Sequence, residues 1–182
     1  DYADTIEEQR PDGTSVIYQH KNTYGPPSAL TDAGGNQGTF SSDSSDRITS
    51  VTDRMGNVTG FSYHDSGRLE TVTNARGHSI SNIYATQDQT FTNPETGEEV
   101  VFTFHTLTRT DYPDGTNEQF SHDGRGNLTA LTDRTGQVWT YTYNDRGQVL
   151  TATNPTGGVK TFTYNADGTL TTATDNDTGV TT

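Results

Sequence analysis

The chain has 182 residues, of which 27% are hydrophobic, and its 24 acidic and 11 basic residues give a formal net charge of -13. Proteins bind nucleic acids through basic patches that neutralise phosphates, so this charge disfavours nucleic-acid binding and attachment to anionic membrane surfaces. The absence of cysteine excludes disulfides and thiolate metal sites, and no run of residues approaches the ~20 apolar positions of a membrane-spanning helix.

One unit of about 21 residues recurs along the chain. Most copies place aromatic residues five and seven positions after a glycine, as Tyr141 and Tyr143 follow Gly136. A period in this range is typical of repeat proteins whose neighbouring units complete each other's core. We therefore predict a single array over residues 1–182 with no second domain, and the pattern is already under way at Asp1, which indicates a piece of a longer protein. The eight units start near Gly13, Gly35, Gly56, Gly77, Gly97, Gly115, Gly136 and Gly157.

The first two units each depart from the repeat at one place. In the first unit, Tyr24-Gly25-Pro26-Pro27 is an insertion that predicts a local loop. In the second unit, Asp46 replaces the glycine found in the middle of other units, while Ile48 and Val51 keep the pattern.

The third unit contains the turns that punctuate the repeat. His64-Asp65-Ser66-Gly67 stands in its middle, and Asn74-Ala75-Arg76-Gly77 begins the next unit. Asn or Asp at the first position with Gly at the fourth is typical of a type I turn, or of a longer hairpin loop with a left-handed glycine. A turn every 10 or 11 residues leaves short strands, which predicts an antiparallel all-β structure.

The fourth and fifth units are less regular. Residues 87–99 are polar and predict a longer turn, and the unit between Phe104 and Tyr112 is short and lacks a central turn signal.

The seventh unit shows both strands of the repeat. Val138 to Tyr143 is rich in β-branched and aromatic residues, with Trp139, Tyr141 and Tyr143 alternating onto one face of a strand. A turn at residues 144–147 and a second strand over residues 149–153 follow.

The second strand of each unit breaks strict alternation. Its apolar residues stand two and five positions after the central glycine, as do Leu69 and Val72 after Gly67. These offsets have opposite parity, so either a β-bulge re-aims one side chain or both faces of the sheet are partly covered. We predict tandem antiparallel β-hairpins in one continuous curved, twisted sheet that forms part of a spiral shell or solenoid.

The units resemble the RHS or YD repeat. The resemblance lies in Tyr63-His64-Asp65-Ser66-Gly67-Arg68-Leu69, in Tyr143-Asn144-Asp145-Arg146-Gly147-Gln148-Val149 and in the stretch from Thr110 to Thr116. The family includes bacterial Rhs and Tc-type toxin components, wall-associated proteins and animal teneurins. The resemblance implies hairpin ribbons that spiral into a hollow shell, which in the toxins encloses a toxic domain.

The function that the resemblance implies is structural. We expect a wall segment of a toxin-encapsulating shell in a large bacterial protein that is secreted or displayed at the cell surface, and whose partners are the rest of its own polypeptide and an enclosed toxin domain. The family's self-cleaving segment has no counterpart here, so no catalytic residue and no enzymatic activity are expected.

The alternative function is carbohydrate or cell-surface binding through the aromatic face. The candidate residues are Trp139, Tyr141, Tyr143, Phe162 and Tyr164. Aromatic residues that recur in every hairpin can equally pack against their copies in neighbouring strands, and sugar binding would need this face to be open to solvent.

No cofactor or metal is expected, with calcium the one alternative. Acidic residues cluster at Asp43 and Asp46, at Glu95 to Glu99, and at Asp175 and Asp177. Asp175-Asn176-Asp177-Thr178-Gly179 comes closest to a calcium loop but lacks the distal glutamate of an EF-hand. Asp and Asn in such positions also favour turn geometry alone.

Overall fold

A computed structural model describes residues 4–20, 25–176 and 178–181, which form strands and turns. Each strand lies antiparallel to the strand that precedes it in the chain, in the order β1 to β16. This confirms the predicted antiparallel all-β hairpin fold. No helix of the described residues is long and apolar enough to cross a membrane. The strands are β1 (Asp4–Gln9), β2 (Ser15–His20), β3 (Pro27–Thr31), β4 (Gln37–Ser42), β5 (Ile48–Thr52), β6 (Val58–Tyr63), β7 (Leu69–Thr73), β8 (Ser79–Thr92), β9 (Glu99–Asp111), β10 (Asn117–His122), β11 (Leu128–Thr132), β12 (Val138–Tyr143), β13 (Val149–Thr153), β14 (Val159–Tyr164), β15 (Leu170–Asp175) and β16 (Val180–Thr181).

The chain divides into two compact units, residues 1–81 and residues 82–182. The first contains β1 to β7 and the start of β8, and within it Val16 and Ala29 are the buried apolar side chains of the described residues. Of the predicted loop at Tyr24 to Pro27, Tyr24 lies outside the described residues, while the carbonyl of Gly25 lies 3.0 Å from Nδ1 of His20. The single array over residues 1–182 stays a prediction.

The reversals between strands have one recurring geometry. At residues 53–57, the amide of Gly56 donates to the carbonyl of Asp53 at 3.0 Å, and the amide of Asp53 donates to the carbonyl of Asn57 at 2.9 Å. The glycine has a φ of 82°, the left-handed region that the predicted hairpin loop requires. Asp46 adopts the same region with a φ of 60°, so the chain reverses there without glycine.

A β-bulge in the middle of the repeat explains the broken alternation. In the hairpin of β6 and β7, Phe61 pairs with Val72 and Tyr63 pairs with Leu69, with a register shift between Ser62 and Tyr63. The two aromatic residues are two apart and their partners are three apart, so the extra residue brings Val72 and Leu69 onto one face. Of the two alternatives left open by the sequence, the bulge is the one found. The same shift recurs in the hairpins β2–β3, β4–β5, β10–β11, β12–β13 and β14–β15.

The second compact unit contains most of one long hairpin, three shorter hairpins (β10–β11, β12–β13 and β14–β15) and β16. Strands β8 and β9 have 14 and 13 residues, whereas those from β10 to β15 have five or six. The units that start at Gly77 and Gly97 therefore contribute one strand each. The missing central turn of the unit at Gly97 was predicted, whereas the expectation of about two strands is wrong for the unit at Gly77. The predicted longer turn is confirmed, because Gly97 donates to the carbonyl of Asn93, four residues earlier, instead of three.

The missing turns in these two units have a local cause. Ala85 stands where the other copies place the residue that begins the central turn, and it has no side-chain acceptor for the turn amides. In the next unit, Thr108 occupies the position of the central glycine. Without an acceptor or a residue suited to positive φ, the β-rich segment continues as a strand.

Candidate binding surface on the aromatic strands

The five aromatic residues of the predicted binding surface lie on β12 and β14. All five are half-buried, and within β12 they alternate with the exposed Val138, Thr140 and Thr142. Each of these five residues thus remains partly accessible to solvent in the described chain. The structure places Trp139, Tyr141 and Tyr143 on one face of β12, and Phe162 and Tyr164 on one face of β14.

The cross-strand partner of each ring is a smaller residue rather than a copy of the same ring. Tyr141 pairs with Ala152, and Phe162 pairs with Ala173. Strands that carry the aromatic residues alternate with strands that carry smaller aliphatic residues. The aromatic residues at equivalent positions of two repeats are therefore separated by an intervening strand. The expected direct packing of each ring on its own copies is therefore replaced by packing on aliphatic neighbours.

Two of the five predicted ligand-binding residues use their hydroxyl groups to join one hairpin to the hairpin before it. The hydroxyl of Tyr143 donates to the carbonyl oxygen of Leu128 at 2.7 Å, and that of Tyr164 donates to the carbonyl of Val149 at 2.8 Å. Tyr63 makes the same contact to Ile48 at 2.6 Å in the first compact unit. We call this contact the tyrosine clasp.

The tyrosine clasp ends at the β-bulge of the previous hairpin. Leu128 and Val149, which accept from these tyrosines, are the residues that follow the register shift in their own hairpins. Burial is the main cause that raises the pKa of Tyr143, followed by the neighbouring Tyr141 and Asp123. This role was not predicted from the sequence, although tyrosine stands seven residues after the unit glycine in four of the eight units.

Trp139 and Tyr141 line an open recess of about 290 Å³. Ala152, Lys160 and Asp175 also line it, and the ammonium of Lys160 lies 3.9 Å from a carboxylate oxygen of Asp175. Two aromatic rings beside an ammonium and a carboxylate can bind a small polar ligand through stacking and hydrogen bonds. Tyr143, Phe162 and Tyr164 do not line this recess, so the structure separates the five predicted residues into two groups.

The turns carry a second recurring arrangement, in which the first residue caps the turn. In the turn at residues 123–127, one carboxylate oxygen of Asp123 accepts the amides of Arg125 and Asn127, both at 2.9 Å. The other oxygen accepts from the side-chain amide of Asn127 at 2.9 Å. The hydrogen bond from this side chain is the largest of the causes that lower the pKa of Asp123.

Arginine side chains join successive turns of the second compact unit. Arg125 donates to the carbonyl of Asp145, and Arg146 donates to the carbonyl of Ala166, both at 2.7 Å and both across 20 residues. Successive turns at the strand ends therefore contact one another, and Arg125 and Arg146 each make one of these structural contacts.

The candidate calcium residues are not brought together. Asp43 is engaged by Arg47 at 2.7 Å, Asp175 lies near Lys160, and Asp177 lies outside the described residues. Over residues 4–20, 25–176 and 178–181, no group of three or more His, Asp or Glu side chains is placed to hold a metal ion. The expectation that the protein uses no cofactor stays a prediction.

Comparison with known proteins gives a family match and similar folds. The family model described as teneurin YD-shell matches residues 28–181. No curated protein matches the chain. A structure of the Photorhabdus luminescens Tc holotoxin pore is similar with a TM-score of 0.59 and 17% identity, over 95% of this chain and 10% of that chain. The crystal structure of TcdB2-TccC3-TEV is similar with a TM-score of 0.59 and 15% identity, again over 95% of this chain and 10% of the other.

These two structural similarities concern the fold alone at such low identity. The chain spans about one tenth of the length of the two chains it resembles.

Proposed function

The chain belongs to the teneurin YD-shell family and is a structural segment of such a shell, and from this premise we propose that the shell encloses a toxin domain. We further propose that the parent protein is secreted or displayed at the cell surface and is of bacterial origin. The partners of the segment are then the rest of its own polypeptide and the enclosed domain. We propose no catalytic role for its residues.

The tyrosine clasp is the observation that carries the wall function. Each clasp satisfies a backbone carbonyl of the preceding hairpin, as between Tyr164 and Val149. A hairpin built this way has a hydrogen bond to its predecessor and offers its own bulge to its successor. Such nearest-neighbour coupling suits a wall that extends by adding copies.

The thin core supports the same proposal. Val16 and Ala29 are the only buried apolar side chains among the described residues, and the larger side chains are half-buried or exposed. We infer that a sheet with so few buried side chains is suited to form a thin wall. The Tc holotoxin and TcdB2-TccC3 structures that share the fold support the proposal that the enclosed partner is a toxin domain.

Limited proteolysis of the full-length polypeptide tests the enclosure. We expect one segment outside residues 1–182 to resist protease in the native protein and to be cut once mild denaturant opens the wall. The double variant Tyr143→Phe/Tyr164→Phe should loosen two clasps and speed cleavage of that segment, whereas Tyr141→Phe should not. Cleavage of all segments at similar rates in the native protein would contradict enclosure.

A second function, carbohydrate binding, is supported by the recess at Trp139 and Tyr141. Sugar rings stack on aromatic faces, and Lys160 and Asp175 supply polar groups at the same place. In this proposal Tyr143, Phe162 and Tyr164 support the sheet and do not touch the sugar.

A glycan array with the purified chain tests the second function. Specific binding that is lost in Trp139→Ala and in Tyr141→Ala, but kept in the control Phe40→Ala, would support it. Phe40 occupies the same repeat position in the first compact unit as Tyr141 does in the second. No specific glycan binding, or an equal loss of binding in Phe40→Ala, would contradict carbohydrate binding. The wall function would then be the single proposed function.

A further inference from the structure

The long hairpin of β8 and β9 has a part that its neighbouring strand in the second compact unit cannot cover. We call residues 82–108 the arm. β9 pairs with β10 from Asp111 opposite Asn117 to Arg109 opposite Gln119. β10 ends at His122, so continuing this register brings its last residue opposite residue 106. Residues 99–104 of β9 therefore extend past the end of β10.

The arm is internally well held. Thr103 donates to a carboxylate oxygen of Asp88 at 2.6 Å, and Thr108 donates to the carbonyl of Ile83 at 3.0 Å. Near its tip, the rings of Phe91 and Phe102 meet edge to face with centroids 5.5 Å apart. These contacts make the distal part of β9 an ordered strand rather than a loose loop.

Every second backbone amide of this distal strand points away from β8, toward its outer edge. Asn93 donates its amide to the carbonyl of Glu98 at 2.8 Å, which makes these two residues a hydrogen-bonded pair at the end of the hairpin. Alternation along an antiparallel pair then turns the amides of Glu99, Val101 and Thr103 away from β8. An ordered edge with outward amides is a template on which another strand can pair.

The side chains around this edge are apolar and exposed. The exposed fraction is 43% for Val100, 56% for Val101, 56% for Phe102 and 48% for Phe91. Val100 and Phe102 lie on one face of the strand and Val101 lies on the other, so an added strand would find apolar contacts on both sides.

Charge on the arm has a single sign. Residues 77–108 contain no lysine or arginine, and they carry four acidic residues. Two of these, Glu98 and Glu99, stand at the start of the exposed edge. Pairing with the same edge of a second copy would bring like charges together, whereas a basic strand would meet complementary charge. The acidic residues are Asp88, Glu95, Glu98 and Glu99.

We propose that the outer edge of residues 99–103 binds an extended basic segment of a polypeptide by strand addition. The segment carries lysine or arginine alternating with apolar residues, so that its basic face lies on the side of Glu99 and its apolar face packs on Val100 and Phe102. Backbone hydrogen bonds from Glu99, Val101 and Thr103 fix its register. This inference does not depend on the enclosure of a toxin.

Binding of three labelled ten-residue peptides to the whole chain tests the inference, measured by fluorescence anisotropy. The probes alternate Lys with Val, Glu with Val, and Lys with Ser. We expect the Lys-Val peptide to bind, with affinity that falls as salt is added, and each of the other two to bind at least about tenfold more weakly. Absence of Lys-Val binding, or equal binding of the Glu-Val peptide, would overturn the proposal.

Two variants locate the binding on the edge. Val101→Pro removes an outward amide and should weaken binding of the Lys-Val peptide about tenfold, whereas Val101→Thr keeps that amide and should change it less than about twofold. Proton–nitrogen correlation spectra of the wild-type chain should show the largest peptide-induced shifts at the amides of Glu99, Val101 and Thr103. Equal affinity of Val101→Pro and wild type would overturn the proposal.

A charge control separates the edge from the acidity of the whole chain. Glu98→Lys/Glu99→Lys should weaken Lys-Val binding about tenfold or more, while Glu7→Lys/Asp65→Lys makes the same change in net charge at exposed positions elsewhere. Equal loss in both double variants would contradict a defined site. Sedimentation showing a dimer of the chain that Val101→Pro abolishes would assign the edge to a second copy and overturn the proposal.

Discussion

The hydroxyl of Tyr143 donates to the carbonyl oxygen of Leu128, fifteen residues earlier, at 2.7 Å. Leu128 pairs with His122 just beyond the bulge of the preceding hairpin, so this contact joins the most irregular point of one hairpin to the aromatic strand of the next. The bulge and the tyrosine therefore form one structural device that repeats with the sequence.

Tyr143→Phe should destabilise the chain by about 0.5–1.5 kcal/mol, because the Leu128 carbonyl loses a partly buried hydrogen bond. For a chain of this size the midpoint of thermal unfolding should fall by ~2–4 °C. Tyr141→Phe, two residues earlier on the same strand, is the control and should leave the midpoint nearly unchanged. Equal effects of the two variants in calorimetry would contradict the tyrosine clasp.

Gly126→Ala should destabilise more than Gly136→Ala. Both glycines have positive φ, 85° and 82°, where an alanine costs roughly 1–2 kcal/mol. A β-carbon at Gly126 would also lie 3.0 Å from the ring of Phe104, whereas a β-carbon at Gly136 would meet nothing within 4 Å. Urea unfolding of the two variants measures the difference, and an equal loss would show that Phe104 moves aside without cost.

Acid should destabilise the turns that aspartate caps. Hydrogen bonds lower the pKa of three capping carboxylates, chiefly from the side chain of Asn57 to Asp53, of Asn127 to Asp123 and of Thr135 to Asp133. A carboxyl group whose pKa is lower in the folded chain contributes stability that is complete above the unfolded value of ~3.9. That stability is lost as the pH falls through the lower, folded value.

Replacing these three aspartates with asparagine should reduce the loss of stability in acid. Asparagine keeps the acceptor for the turn amides without titrating, and Asn74, Asn144 and Asn154 already cap turns in this way. The midpoint of thermal unfolding of Asp53→Asn/Asp123→Asn/Asp133→Asn should fall less than that of the parent between pH ~5 and pH ~2. An equal fall would mean that the caps do not contribute to the acid sensitivity.

His122 should add a separate pH dependence. Burial lowers the pKa of His122 below its ordinary value, against a smaller opposing effect of Asp123, and its Nδ1 is buried without a hydrogen-bond partner in the described residues. The stability from the neutral ring is complete above the unfolded value of ~6.5 and is lost as the pH falls through the lower folded value. His122→Phe should remove this loss, and His78→Asn, at an exposed position, should retain it. The test is thermal unfolding from pH ~7 to pH ~5.

Local rules were enough to predict the hairpins from the sequence. Asn or Asp followed three residues later by glycine predicted the turns, and alternation placed Trp139, Tyr141 and Tyr143 on one face. The bulge was visible as the opposite parity of Leu69 and Val72 but needed the register to settle it. The missing central turn between Phe104 and Tyr112 was predicted. The missing turn of the preceding unit was not, because it depends on the lack of a side-chain acceptor at Ala85.

The candidate site was predicted only in part. The recess at Trp139 and Tyr141 depends on Lys160 and Asp175, which the register of β12 to β15 brings near those rings and which no local pattern links to them. Tyr143 and Tyr164 were predicted to bind a ligand through their rings, and the structural role of their hydroxyl groups was missed because the acceptors lie fifteen residues away, in another hairpin. Contacts between units follow from register, and register was the part that spacing alone left open.

The structure of the full-length polypeptide, by electron cryomicroscopy, tests the shell function most directly. We expect the strands of residues 4–176 to lie in the wall of a closed shell, with density for a separate domain inside it. A wall segment that has solvent on both faces, in a particle without an enclosed compartment, would contradict it.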